Sequence, residues 1–181
     1  MGKKNSVKEA EKYLKNIKGL DGKSVINACK LVTFDIWYRN PIGARKAKKA
    51  SQIKPDVDTI ENIQIMVKRN ISFWKKYGPV TKYGFTFGRK GYSKTVNAGD
   101  GDYLTYDTLW EFKVSKNKPT NKNTLQLLMY WIMGQHSRKS EFKKINKIGI
   151  FNPRLNVVYL LDIADISKDI INQVESDVIC Y

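Results

Sequence analysis

The chain has 181 residues, enough for one α/β domain with its own core and too few for a second large one. At 41% apolar and 12% aromatic it is too hydrophobic for global disorder, and 33 Lys and Arg against 17 Asp and Glu give a formal charge of +16. That excess favours a polyanionic partner, because each neutralised phosphate releases condensed counterions. Two isolated cysteines, Cys29 and Cys180, and the lone His136 exclude a disulfide framework and a multi-histidine metal cluster.

In chain order, Ser6 to Asn16 reads as a short amphipathic helix, with Ser6 as its N-cap and Gly19 as its stop. No apolar leader and no membrane-length apolar run is present, so a cytoplasmic protein is expected. Val25 to Tyr38 is apolar and aromatic, and its pattern fits helix and strand equally. Arg39 to Lys54 is basic, carries Pro41 and Gly43, and reads as an exposed connection. A phosphate-contacting arm and a lysine-rich loop both fit it. Asp56 to Tyr77 is the clearest helix, since Ile60, Ile63, Val67, Ile71 and Trp74 recur at three- and four-residue steps before Gly78-Pro79.

Short strands are then predicted at Lys82–Phe87, Asp102–Thr105 and Leu109–Ser115, the last two forming a hairpin. Thr120 to Gly134 reads as a helix, Lys147–Phe151 and Asn156–Asp162 as strands around the turn Asn152-Pro153-Arg154, and Ile166–Ser176 as a final helix. The order helix, three strands, helix, strands, helix predicts an α/β (α+β) mixed sheet with helices packed on it. An N-terminal helical and basic extension, 1–55, is expected to pack on a core of 56–181.

The chemistry concentrates in residues 99–134. Glu111 and Lys113 are two apart on an apolar strand, so their side chains share one face while Trp110, Phe112 and Val114 point into the core. Charges on such a strand need a partner, a ligand or a metal. Acid-x-Lys also occurs at Asp21–Lys23 and Glu141–Lys143, but only the middle copy follows an acidic pair, Asp100 and Asp102, and precedes an apolar helix bearing Gln126. Across a hairpin, Asp102 and Glu111 converge, and two such carboxylates repel unless a cation lies between them. Mg²⁺ takes one or two carboxylates plus waters and phosphate oxygens.

Gly101-Asp102, then Glu111-Phe112-Lys113, then Gln126-Leu127-Leu128-Met129-Tyr130 resembles the motif order of the PD-(D/E)xK nuclease superfamily, in its RecB-like branch. The matching segment is roughly a fifth of the chain, and no Pro precedes Asp102. The resemblance implies a restriction-endonuclease-like core of helix, three strands, helix and strand. It also implies a nuclease dependent on Mg²⁺ or Mn²⁺ that hydrolyses phosphodiester bonds in nucleic acid, DNA foremost, with a homodimer as one expected assembly. Asp102, Glu111 and the backbone carbonyl of Phe112 would hold the metal, Lys113 would orient the attacking water, and Gln126 would fix Lys113 or the substrate. Glu61, Asp100 and Tyr130 are additional candidates, Glu61 as the further acid on the first core helix. The rival expectation is a nucleic-acid-binding or phage-encoded inhibitor protein that keeps this fold without turnover.

Overall fold

The computed structural model describes residues 3–181, leaving aside the side chains of 3–5, 38 and 41. Its contacts divide it into one unit ending at Lys68 and another running from Arg69 to Tyr181. The first unit is helical: α1 Lys3–Lys15, α2 Gly22–Val32, α3 Asp35–Arg39, α4 Pro41–Ala44, a 3-10 turn at Ala50–Gln52, and the first part of α5 Val57–Tyr77. The undecided stretch 25–38 is thus helix, broken only at Thr33-Phe34. Asp21 starts α2 by accepting bonds from the Ser24 N–H at 3.0 Å and the Ser24 hydroxyl at 2.6 Å. Asp56 caps α5 in the same way, taking the Thr59 N–H at 2.8 Å. Ser6 lies inside α1 instead of capping it, because Lys3–Asn5 continue the helix backwards. The basic 39–54 connection is more ordered than its composition implies, with Ala44 and Ala50 buried.

The second unit is a five-stranded sheet in the order β1 Lys82–Phe85, β2 Gly101–Leu104, β3 Thr108–Phe112, β4 Lys147–Asn152 and β5 Val157–Asp162. Only β3 and β4 are parallel; every other pair is antiparallel. A parallel neighbour needs a crossover, and α7 Asn121–His136 supplies it. A short turn of helix, α6 Gly88–Gly91, precedes β2, and α8 Lys168–Gln173 closes the chain with a π-helical turn at Val174–Ile179.

The two faces of the sheet are sorted by residue parity. Leu104, Leu109, Ile148 and Ile150 join Leu127, Leu128, Ile132 and Met133 of α7 in one core. Tyr103, Trp110 and Phe151 join Phe73 of α5 in the other, with Trp74, Tyr77 and Phe112 around them. Phe73 stacks on Phe151 with ring centroids 4.2 Å apart and meets Trp110 edge-on at 4.8 Å. Val114, expected in the core, is 60% exposed because β3 ends at Phe112. Gly134, expected to stop α7, lies inside it, and a Cβ there would sit 2.6 Å from Cδ1 of Phe142. It is a packing glycine. Among the described residues no helix is long and apolar enough to cross a membrane.

Candidate active site

The hairpin β2–β3 decides where the acids meet. Tyr103 faces Trp110 and Leu104 faces Leu109, so the same register carried one step further sets Asp102 opposite Glu111. The Thr105 N–H donates to the Thr108 carbonyl at 3.0 Å, and alternation along the ladder makes 102/111 a pair without mutual backbone bonds. Side chains approach most closely at such pairs. One step on, the Asp102 side chain takes over the ladder's role: its Oδ2 accepts the Phe112 N–H at 2.7 Å. Gly101 is small because the Phe85 ring lies across it, in register at Phe85↔Gly101.

Glu111 sits on the α7 side of β3, beside Leu109, and is 7% exposed. Its Oε1 accepts from Lys113 Nζ at 2.7 Å, whereas its buried Oε2 has no hydrogen-bond partner. Burial pushes the Glu111 carboxyl above its ordinary range; the Lys113 ammonium pulls it back, and the neighbouring charges of Asp102 and Asp100 push it up further. Two more acids therefore act on this one carboxylate.

The α7 helix closes the other side. Lys113 Nζ reaches Gln126 Oε1 at 3.4 Å, and Gln126 Nε2 donates to the Tyr130 hydroxyl at 2.9 Å. Gln126 and Tyr130 share a helix face through their four-residue spacing. Burial raises the Tyr130 phenol, the Gln126 bond lowers it, and the charges of Glu111 and Asp100 raise it again. The helix is set by its start: the Asn123 side chain accepts the Thr120 N–H at 2.9 Å and the Thr120 hydroxyl at 3.1 Å.

Asp102, Glu111, Lys113, Gln126 and Tyr130 thus form one connected constellation, with the Phe112 backbone held to Asp102 and Asp100 close enough to be felt electrostatically. Glu61 belongs to the first unit, exposed on α5. Asp107 stays in the hairpin turn, paired with Lys147 at 2.7 Å. His136 is exposed at the end of α7, bonded to Glu175 at 2.7 Å and stacked on Tyr181. The support behind Tyr130 has no signal in the sequence: the Phe87 ring lies 5.1 Å from it, and a Cβ on Gly99 would come within 3.4 Å of its Cε1. Phe87 and Gly99 carry no charge pattern, so only the fold reveals them.

Among the described residues no group of three or more His, Cys, Asp and Glu side chains is placed to hold a metal ion. The donors present are an opposed pair of carboxylates and backbone oxygen, a set suited to a hard cation that brings most of its own ligands as water. The uncompensated Oε2 of Glu111 fits such an ion, since an unpaired buried carboxylate oxygen otherwise costs its full desolvation. No known protein family, curated protein or solved structure matches the chain.

Proposed function

We propose that this chain is a divalent-metal-dependent nuclease with a restriction-endonuclease-like core, hydrolysing phosphodiester bonds in nucleic acid, with DNA as the favoured substrate. One observation carries the reading: Glu111 is a buried carboxylate with one oxygen on Lys113 and the other unpartnered, and the charge of Asp102 on the neighbouring strand acts on it. A purely structural ion pair would not need a second acid in register with it.

Asp102 and Glu111, with the Phe112 carbonyl, would hold Mg²⁺ or Mn²⁺. When bound, the cation polarises the scissile phosphate and acidifies the attacking water. Lys113 has three N–H donors and spends two on Glu111 and Gln126. The third is left to hold the water oxygen and to offset negative charge that builds on the phosphate. As that oxygen bonds to phosphorus, the bond from phosphorus to the sugar oxygen breaks, and the proton lost by water ends on the leaving oxygen. Gln126, tethered to Tyr130, restrains Lys113 in rotation.

Glu111→Ala and Lys113→Ala should each lower Mg²⁺-dependent cleavage of DNA by at least about a hundredfold, in the range seen on losing one transition-state donor. Gel assays with Mg²⁺ or Mn²⁺, an EDTA control and circular dichroism of both variants test this. Cleavage by folded variants at the wild-type rate would sink the assignment. EDTA-insensitive binding with no products on any substrate would point to a non-cutting binder on the same fold.

A further inference from the structure

The segment leading into the acidic hairpin carries three exposed cations on a backbone held at several points. Arg89, Lys90 and Lys94 are exposed, and Arg138, just past the end of α7, is exposed as well. Among the described residues none of these four makes an ion pair. Their backbone is held at several points. Lys139 Nζ donates to the Thr86 carbonyl, the Tyr181 hydroxyl donates to the Gly91 carbonyl at 2.7 Å, and the Tyr92 hydroxyl donates to the Gly99 carbonyl at 2.8 Å. Gly91 packs so closely on α7 that a Cβ there would sit 2.6 Å from the Met133 carbonyl oxygen and 3.1 Å from the Ser137 Cβ. The loop therefore lies along α7, from the Ser137 end back to Tyr130, where Gly99 packs.

We infer that Arg89, Lys90, Lys94 and Arg138 form a fixed phosphate grip that holds the nucleic-acid backbone to one side of the Asp102–Glu111 centre. This rests on the nuclease reading of that centre. The spacing follows from the helix: Lys113 touches α7 at Gln126, and Gly91 touches it at Met133. Seven helical residues span about 10 Å, or about three base pairs of one strand at about 3.4 Å each. The anchored backbone spares the ordering of a loop on binding, so the association cost that remains is the side-chain freedom of the four exposed cations. The readout is of backbone alone; base edges play no part in it.

The test compares two double variants with the same charge change, Arg89→Glu/Lys90→Glu and Lys75→Glu/Lys76→Glu, the latter on α5 across the sheet. Binding to a DNA duplex, a DNA single strand and an RNA of equal length is measured in Ca²⁺ over a salt series. The patch variant should bind at least about tenfold more weakly and lower the salt slope by roughly two, against little change in the control. Duplexes trimmed to within about three base pairs of the cut on one side should lose the same increment. Equal weakening by both variants would show a diffuse charge effect and overturn the grip. So would patch-dependent binding to anionic vesicles with none to nucleic acid. Patch-dependent binding without cleavage by the wild type would uphold the grip and remove the nuclease, so the two readings fail separately.

Discussion

Glu111 concentrates the tension between stability and chemistry. Its carboxyl is raised above the ordinary carboxylate range, chiefly by burial, which means that its ionised form is disfavoured in the folded protein. The sign for stability follows. Below the unfolded value both states are protonated and the group costs nothing. As pH rises through the raised folded value the native state must ionise a buried acid, and stability falls. Glu111→Gln keeps the shape and removes the charge, so in metal-free buffer it should melt higher than wild type at pH 8 and equally at pH 4. Adding Mg²⁺ should stabilise wild type alone, by RT ln(1 + [L]/Kd), and close the gap. A Gln variant that melts lower than wild type at pH 8 would mean that the 2.7 Å bond to Lys113 outweighs desolvation.

At the scale of elements, α7 is the part on which the site leans, and Gly134 shows how tightly it is seated. Helix propensity alone predicts that Gly134→Ala stabilises by about 1 kcal/mol. Packing predicts the reverse: the new methyl would lie 2.6 Å from a Phe142 ring that is 1% exposed, and overpacking typically costs roughly 1–3 kcal/mol. The second effect should win, giving a net loss measurable in urea denaturation. The same helix marks what could be read from the residues. The parity of β3 and the four-residue step from Gln126 to Tyr130 placed the charged groups on the faces they occupy. Gly134 reads as a stop for α7 because a glycine that ends a helix and a glycine that admits a neighbouring ring look alike in one dimension. Residues 25–38 stayed open between helix and strand because their apolar periodicity is short and the Asp21–Ser24 cap that decides it lies outside them. Lys113 was expected within a longer strand; β3 ends at Phe112, and only the Lys113 N–H continues, to the Phe151 carbonyl at 3.1 Å.

Across the whole molecule, charge is unevenly spent. From Leu155 to the C-terminus there are five acids, Asp162, Asp165, Asp169, Glu175 and Asp177, against the single base Lys168, in a chain of net +16. The same region holds β5, an edge strand that exposes Val157, Leu160 and Leu161. Such an edge invites pairing with another chain, and mutual repulsion of strongly cationic molecules opposes it. Raising salt from about 0.1 M to about 1 M shortens the Debye length from about 10 Å to about 3 Å, so light scattering should report growing self-association. Leu160→Lys should suppress it without altering DNA cleavage.

The links that join the candidate site are all short in sequence: ten residues from Asp102 to Phe112, thirteen from Lys113 to Gln126, four from Gln126 to Tyr130. Closing small loops sacrifices little chain entropy, so these parts can find one another without waiting for the remote ends of the polypeptide. The constellation is in effect a cassette from one short stretch of the chain, and a circular permutation opened at the Asn152–Val157 turn would leave every one of its internal connections uncut.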